Sequence, residues 1–185
     1  MSLTRIAAAG SAVNVLPFPP DDVAHFVTGL LDGLVQDNDF DKIKPCLTDQ
    51  EILAPELVEA INDFKKKDIV DIIKGVTVVG KMLSTLDKDL SDCAGMKPDL
   101  LRIKAWAVIF KDPIKLFRVM FNNTLMNIGK IHSDIGNIIT DAETDKMHDL
   151  GENVADILVL QLGPIPKIED YYFEVFGQEP SETLF

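Results

Sequence analysis

Basic side chains are scarce in this chain of 185 residues: 18 Lys and Arg face 30 Asp and Glu, a net charge of −12. That balance leaves no broad basic face to replace the counterions of a phosphate backbone, which excludes nucleic acid as a partner. The one lysine run, FKKKD at 64–68, is flanked by acids and reads as a solvated helix end. Long apolar runs are missing as well. No stretch reaches the roughly 18 uninterrupted apolar residues of a membrane-crossing helix, so no membrane span is expected. The opening MSLTRIAAAGSAVNVLPFPP has one Arg and a weakly apolar centre. It lacks both the leucine-rich core of a signal peptide and the arginines of a transit peptide, so residues 1–20 read as a flexible or docking arm, with a targeting remnant as the alternative.

Histidine is rare too, and its placement excludes the usual metal and triad chemistry. His25, His132 and His148 never pair at the i, i+4 spacing of a helical zinc site. His132, Ser133 and Asp134 are consecutive, and consecutive helical residues point in different directions, so they cannot converge on one atom. Glu143, Asp145 and Asp149 near a turn read as caps and solvated surface rather than as an acid/base pair. The acids Asp37, Asp39 and Asp41 suggest a calcium loop. Lys42 and Thr48 occupy the positions where that loop needs glycine and a bidentate glutamate. GVTVVGK at 75–81 has the glycine and lysine spacing of a phosphate loop, yet Met82 follows where a magnesium-binding hydroxyl belongs and the stretch lies inside a helical stripe. No catalytic, metal or cofactor-binding residue is predicted, and the expectation is a protein that is not an enzyme.

There are two cysteines, Cys46 and Cys93. In a cytosolic chain they would be two buried thiols; in a secreted one they would form a single staple that stabilises the fold by about 4 kcal/mol on the chain-entropy view. The disulfide is the favoured reading because helix-ending signals flank each: Pro45 and Thr48 at one, Gly95 and Pro98 at the other. Asn122-Asn123-Thr124 is a glycosylation sequon, with Asn122 the acceptor in a secreted chain.

The rest of the sequence is helical in period. Pro20 with Asp21 and Asp22 opens a helix running to about Gln36, with Gly29 and Gly33 spaced for close packing against a neighbour. Pro55 marks the first turn of a helix carrying Leu57, Ala60, Ile61 and Phe64. From Asp68 to Leu86 an Ile, Val and Leu stripe predicts another. After a loop at 92–98, PDLLRIKAWAVIF predicts a strongly buried helix around Trp106. Pro113 opens the longest helix, expected to be about 40 Å if straight, on a stripe of Phe117, Phe121, Leu125, Ile128, Ile131, Ile135 and Ile138. The last main helix spans roughly Asp145 to Leu162 and stops at Gly163-Pro164. The predicted fold is all-α: one antiparallel bundle of about six helices over 21–163, between an N-terminal arm and a C-terminal tail at 164–185.

Two glycines within the longest helix weaken it by about 1 kcal/mol each, which calls for an architectural reason. If the last two helices form a hairpin whose partners sum to roughly 287, Gly136 meets Gly151, His132 meets Ala155, and Gly129 lies opposite Leu158. These positions are expected to mark close helix packing or, alternatively, a groove for an apolar ligand. Asn123 and Asn127 continue the row of Leu116 and Met120, and are expected to tune packing or bond a neighbouring loop, or alternatively to form a polar lip on such a groove. The tail is acidic and holds Tyr171, Tyr172, Phe173, Phe176 and Phe185, so it is expected to dock on its own bundle or on a neighbouring copy or partner.

Phe26-Val27-Thr28-Gly29 with Gly33, then Cys46, Cys93, WAVIFKDP at 106–113 and the asparagine-rich helix ending in DIGNII resemble a group of small, secreted-type helical proteins of ciliated protozoa with two spaced cysteines. The resemblance covers about residues 22–162. It implies a disulfide and secretion, and no established activity comes with it. The functional expectation is a non-enzymatic structural or protein-interaction subunit, acidic, self-associating or part of a larger assembly, and extracellular or secretory rather than cytoplasmic. The alternative is a carrier of a lipid or other apolar small molecule between helices.

Overall fold

The computed structural model describes residues 18–36, 53–89, 97–167 and 169–170. Among them lie seven α-helices and no strand, in agreement with the all-α expectation. Cys46 and Cys93, and with them the predicted disulfide, lie outside the described residues, as do Tyr171, Tyr172, Phe173, Phe176 and Phe185.

Helix α1 spans Pro20–Val35, with Pro in its first turn and Asp21 and Asp22 against the positive end of the dipole. It ends at Gln36, whose left-handed backbone (φ 58°) turns its N–H onto the Asp32 carbonyl at 2.8 Å. Helix α2 (Ala54–Lys65) also starts on a proline, and α3 (Ile69–Asp89) follows through a turn in which Lys67 takes φ 57°. Asp68 Oδ1 accepts from the Val70 N–H and fixes the start of α3. At the same turn the Lys66 ammonium reaches Asp63 at 2.7 Å and Asp71 at 3.3 Å.

Helix α4 (Lys97–Trp106) tightens into a 3₁₀ turn over Ala107–Lys111. Only one side of this stretch is buried, through Leu100, Ile103 and Ala107, while Leu101 is 46% and Val108 54% exposed. The strongly buried helix expected around Trp106 is therefore corrected to a one-sided one. The long helix after Pro113 is corrected as well. It is two helices, α5 (Pro113–Met126) and α6 (Ile128–Glu143), broken at Asn127, whose backbone leaves the helical region (φ −114°, ψ 17°). Its side-chain amide donates to the Asn123 carbonyl, a local bond that competes with regular helix geometry. Helix α7 (Met147–Leu162) then returns along α6.

The core runs between α1 and α7, the most extensive helix pair, with Phe26, Leu30 and Leu31 of α1 packed against Leu150, Val154 and Leu158. Helix α3 packs on α2 and reaches α4 and the 3₁₀ turn. The glycines of the phosphate-loop-like GVTVVGK sit inside α3 as seats for aromatic rings. Gly75 faces Phe64, where a Cβ would come within 2.7 Å of the ring, and Gly80 faces Phe110. No described helix is long and apolar enough to cross a membrane.

Candidate docking face on α5

The start of α5 is capped: Asp112 accepts from the Lys115 N–H at 3.0 Å, and Pro113 takes the first helical position. Rotation of the helix about its own axis is set from the other end. Gln161 of α7, fully buried, donates through Nε2 to Thr124 Oγ1 at 2.7 Å. Asn123 donates to the Gln161 carbonyl, also at 2.7 Å. A buried Thr124 hydroxyl without its donor would be costly, so this clamp turns Leu116, Met120 and Thr124 inward, while Gln161 Oε1 finds no partner among the described residues.

The consequence is that the predicted apolar stripe of α5 faces outward at Phe117 and Leu125, while Phe121 between them is partly buried against the core. Ile114 is 75%, Phe117 48% and Leu125 49% exposed, and Met126 at the helix end is 82% exposed. Phe117 and Phe121 stack with centroids 5.7 Å apart, so the exposed Phe117 ring rests on one that packs against the core. Exposed Lys111, Lys115 and Arg118 accompany the strip. Residues 111–126 carry three Lys and Arg against one Asp, within a chain whose net charge is −12. The surface is thus apolar, with a basic local charge opposite to that of the whole protein. Asn123, expected to bond a neighbouring loop, instead bonds the Gln161 carbonyl within helix α7. Asn127 bonds back to its own helix instead.

The predicted glycine seam is displaced. Around Gly129 and Gly136 an added Cβ would meet nothing within 4 Å, so these residues mark no close helix contact, and His132 is exposed. Asn153 meets Asn137 at 3.4 Å and Asp141 at 2.9 Å, pairings whose numbers sum to 290 and 294 rather than 287, so the hairpin register is shifted by about one to two turns. Gly151 and Ala155 are close-packed, but against α1. A Cβ on Gly151 would strike the α1 backbone at Phe26 and Leu30, one on Gly29 the His148 carbonyl, and one on Gly33 would come within 2.6 Å of the Ala155 Cβ. His148 Nε2 completes the seam with Asp32 Oδ2 at 3.0 Å.

Acids crowd the edge of the α6–α7 hairpin. Burial pushes the Asp134 carboxyl up, the facing Asp156 adds to this, and Lys130 partly offsets it. Asp141 is raised by burial and then by Asp149, with the Asn153 amide at 2.9 Å and Lys146 acting in the opposite sense. Among the described residues His148, Asp149 and Glu152 bring one donor atom each within 4.8 Å of one another, but His148 already engages Asp32 and the two acids are exposed. Clefts open between the described helices. One of about 430 Å³ lies between the end of α1, Arg102 and residues 164–170, and one of about 200 Å³ lies between Phe18, α2 and the end of α6.

Fold and face together define an all-α bundle that exposes one apolar, locally basic helix surface. Residues 5–162 match the profile of the SctB-like family, described as secreted protein B-like, and the chain belongs to that family. Membership favours an extracellular over a cytoplasmic location. No curated protein and no solved structure matches the chain.

Proposed function

We propose that this is a non-enzymatic secreted protein that works by docking, either with further copies of itself or within a larger assembly, through the outward face of α5. The observation that carries the reading is the rotation of α5. A buried Gln161–Thr124–Asn123 clamp holds Ile114, Phe117 and Leu125 toward solvent rather than in the core. Burying a side chain of that size in a contact is favourable by about 1.5–3 kcal/mol, so a few of them suffice to anchor a partner. Family membership supports the secreted setting.

The carrier reading would place a ligand beside Gly129 and Gly136, yet neither cleft described above is lined by those residues. The docking reading is tested by native mass spectrometry and sedimentation over a range of concentrations. Wild type is expected to form multiples of 20.5 kDa, and Phe117→Ser with Ile114→Ser to weaken association by about tenfold or more. Association unchanged by both substitutions would reject the face.

A further inference from the structure

We propose that residues 171–185 of the same chain are the first occupant of the α5 face, so that the docking surface is shielded by the protein's own C-terminal segment. This rests on the docking reading above and adds what covers the face before a partner arrives.

Three observations converge. The first is chemical complementarity. The face pairs Ile114, Phe117 and Leu125 with Lys111, Lys115 and Arg118. Residues 171–185 hold three Glu, no Asp, Lys or Arg, and the aromatic residues Tyr171, Tyr172, Phe173, Phe176 and Phe185. An acidic aromatic strand of chain fits an apolar basic strip in both respects: rings cover the apolar surface while carboxylates meet the ammonium and guanidinium groups.

The second observation is delivery. The chain leading into that segment is pinned to α4, the helix that precedes α5, because Trp106 Nε1 donates to the Gly163 carbonyl at 3.1 Å and Arg102 Nε to the Pro166 carbonyl at 2.6 Å. Ile165 between them is 5% exposed. The third is reach. Fifteen residues extend to about 50 Å, whereas α5, at 14 residues, is about 21 Å long. Tethering also gives the segment an effective concentration on the order of millimolar, which a second copy in dilute solution does not match. A partner for α5 must then displace the segment, and association becomes a competition.

Two measurements on the full chain test this. Carbodiimide coupling of a dilute mixture of unlabelled and heavy-nitrogen protein should join Glu174, Glu179 or Glu182 to Lys111 or Lys115 within single-isotope chains. Mixed-isotope products would assign the face to a second copy, and absence of coupling between these groups would overturn the proposal. In parallel, Tyr171→Ser, Tyr172→Ser, Phe173→Ser and Phe176→Ser together should raise the binding of an apolar fluorescent dye severalfold at unchanged far-ultraviolet circular dichroism, and adding Phe117→Ser should reverse the gain. If the tail substitutions leave dye binding unchanged while Phe117→Ser alone lowers it, the face is real but uncovered, and only this inference falls. If Phe117→Ser changes neither dye binding nor association, the docking reading falls with it.

Discussion

Glycines play opposite parts in two regions of this bundle. Along the α1–α7 seam, Gly29, Gly33 and Gly151 let backbones approach until an added methyl group would strike a neighbouring carbonyl, amide or Cβ. In α6, Gly129 and Gly136 face open space and release no neighbour. Both sets interrupt apolar helical periods in the sequence, yet only the first sits where two helices press together. A glycine's spacing therefore signals a weak point in a helix; the partner across from it decides whether the weakness serves packing.

The largest break in this contrast should come from the seam. Gly29→Leu must push α7 away from α1, and unfolding by urea is expected to show a loss of about 3 kcal/mol or more, or failure to fold; a near-neutral result would deny the close approach. Gln161→Leu should come next, at about 1–3 kcal/mol, because Thr124 keeps its burial and loses its donor. If stability and the exposure of Phe117 both stay unchanged, the polar clamp does not set the rotation of α5. In α6 the sign reverses. Gly136→Ala should stabilise by about 1 kcal/mol, the helix-propensity difference, since the new methyl meets nothing.

The smallest effect concerns pH. Asp134 has its folded-state carboxyl raised by burial and by Asp156, so the folded chain binds its proton more readily than the unfolded chain. This contribution to stability is complete below the ordinary carboxylate pKa and is lost as pH rises through the raised one. Asp134→Asn should therefore narrow the difference in urea midpoint between a pH below the ordinary carboxylate range and neutrality, relative to wild type. An equal difference in the two proteins would show that Asp134 does not titrate in that window.

Much of the fold was legible in the sequence. Pro20 with Asp21 and Asp22 announced α1, Pro55 the first turn of α2, and Gly163-Pro164 the end of α7, because these residues act on the backbone locally. Asn127 carried a signal that was read differently. It was placed in a polar row with Asn123, but its local bond to the Asn123 carbonyl ends α5 there. The α5 stripe misled for a different reason. Phe117, Phe121 and Leu125 have the period of a buried face, and so does the row through Leu116, Met120 and Thr124. Gln161 was the missed residue. Only its lone amide within the apolar period of α7 hinted that the partner of Asn123 and Thr124 lay there.

The sequence by itself determined that this chain is a set of amphipathic helices, where nearly all of them begin and end, and that it is acidic with an aromatic tail. Those properties follow from local backbone preferences and from charge, which need no partner to be expressed. The tertiary structure decided which glycines touch, in what register α6 and α7 pair, and which side of α5 meets water. Two apolar faces compete for the same core, and the choice falls to the one that brings the Thr124 hydroxyl and the Asn123 amide to Gln161 on another helix, a pairing between residues 37 and 38 positions apart.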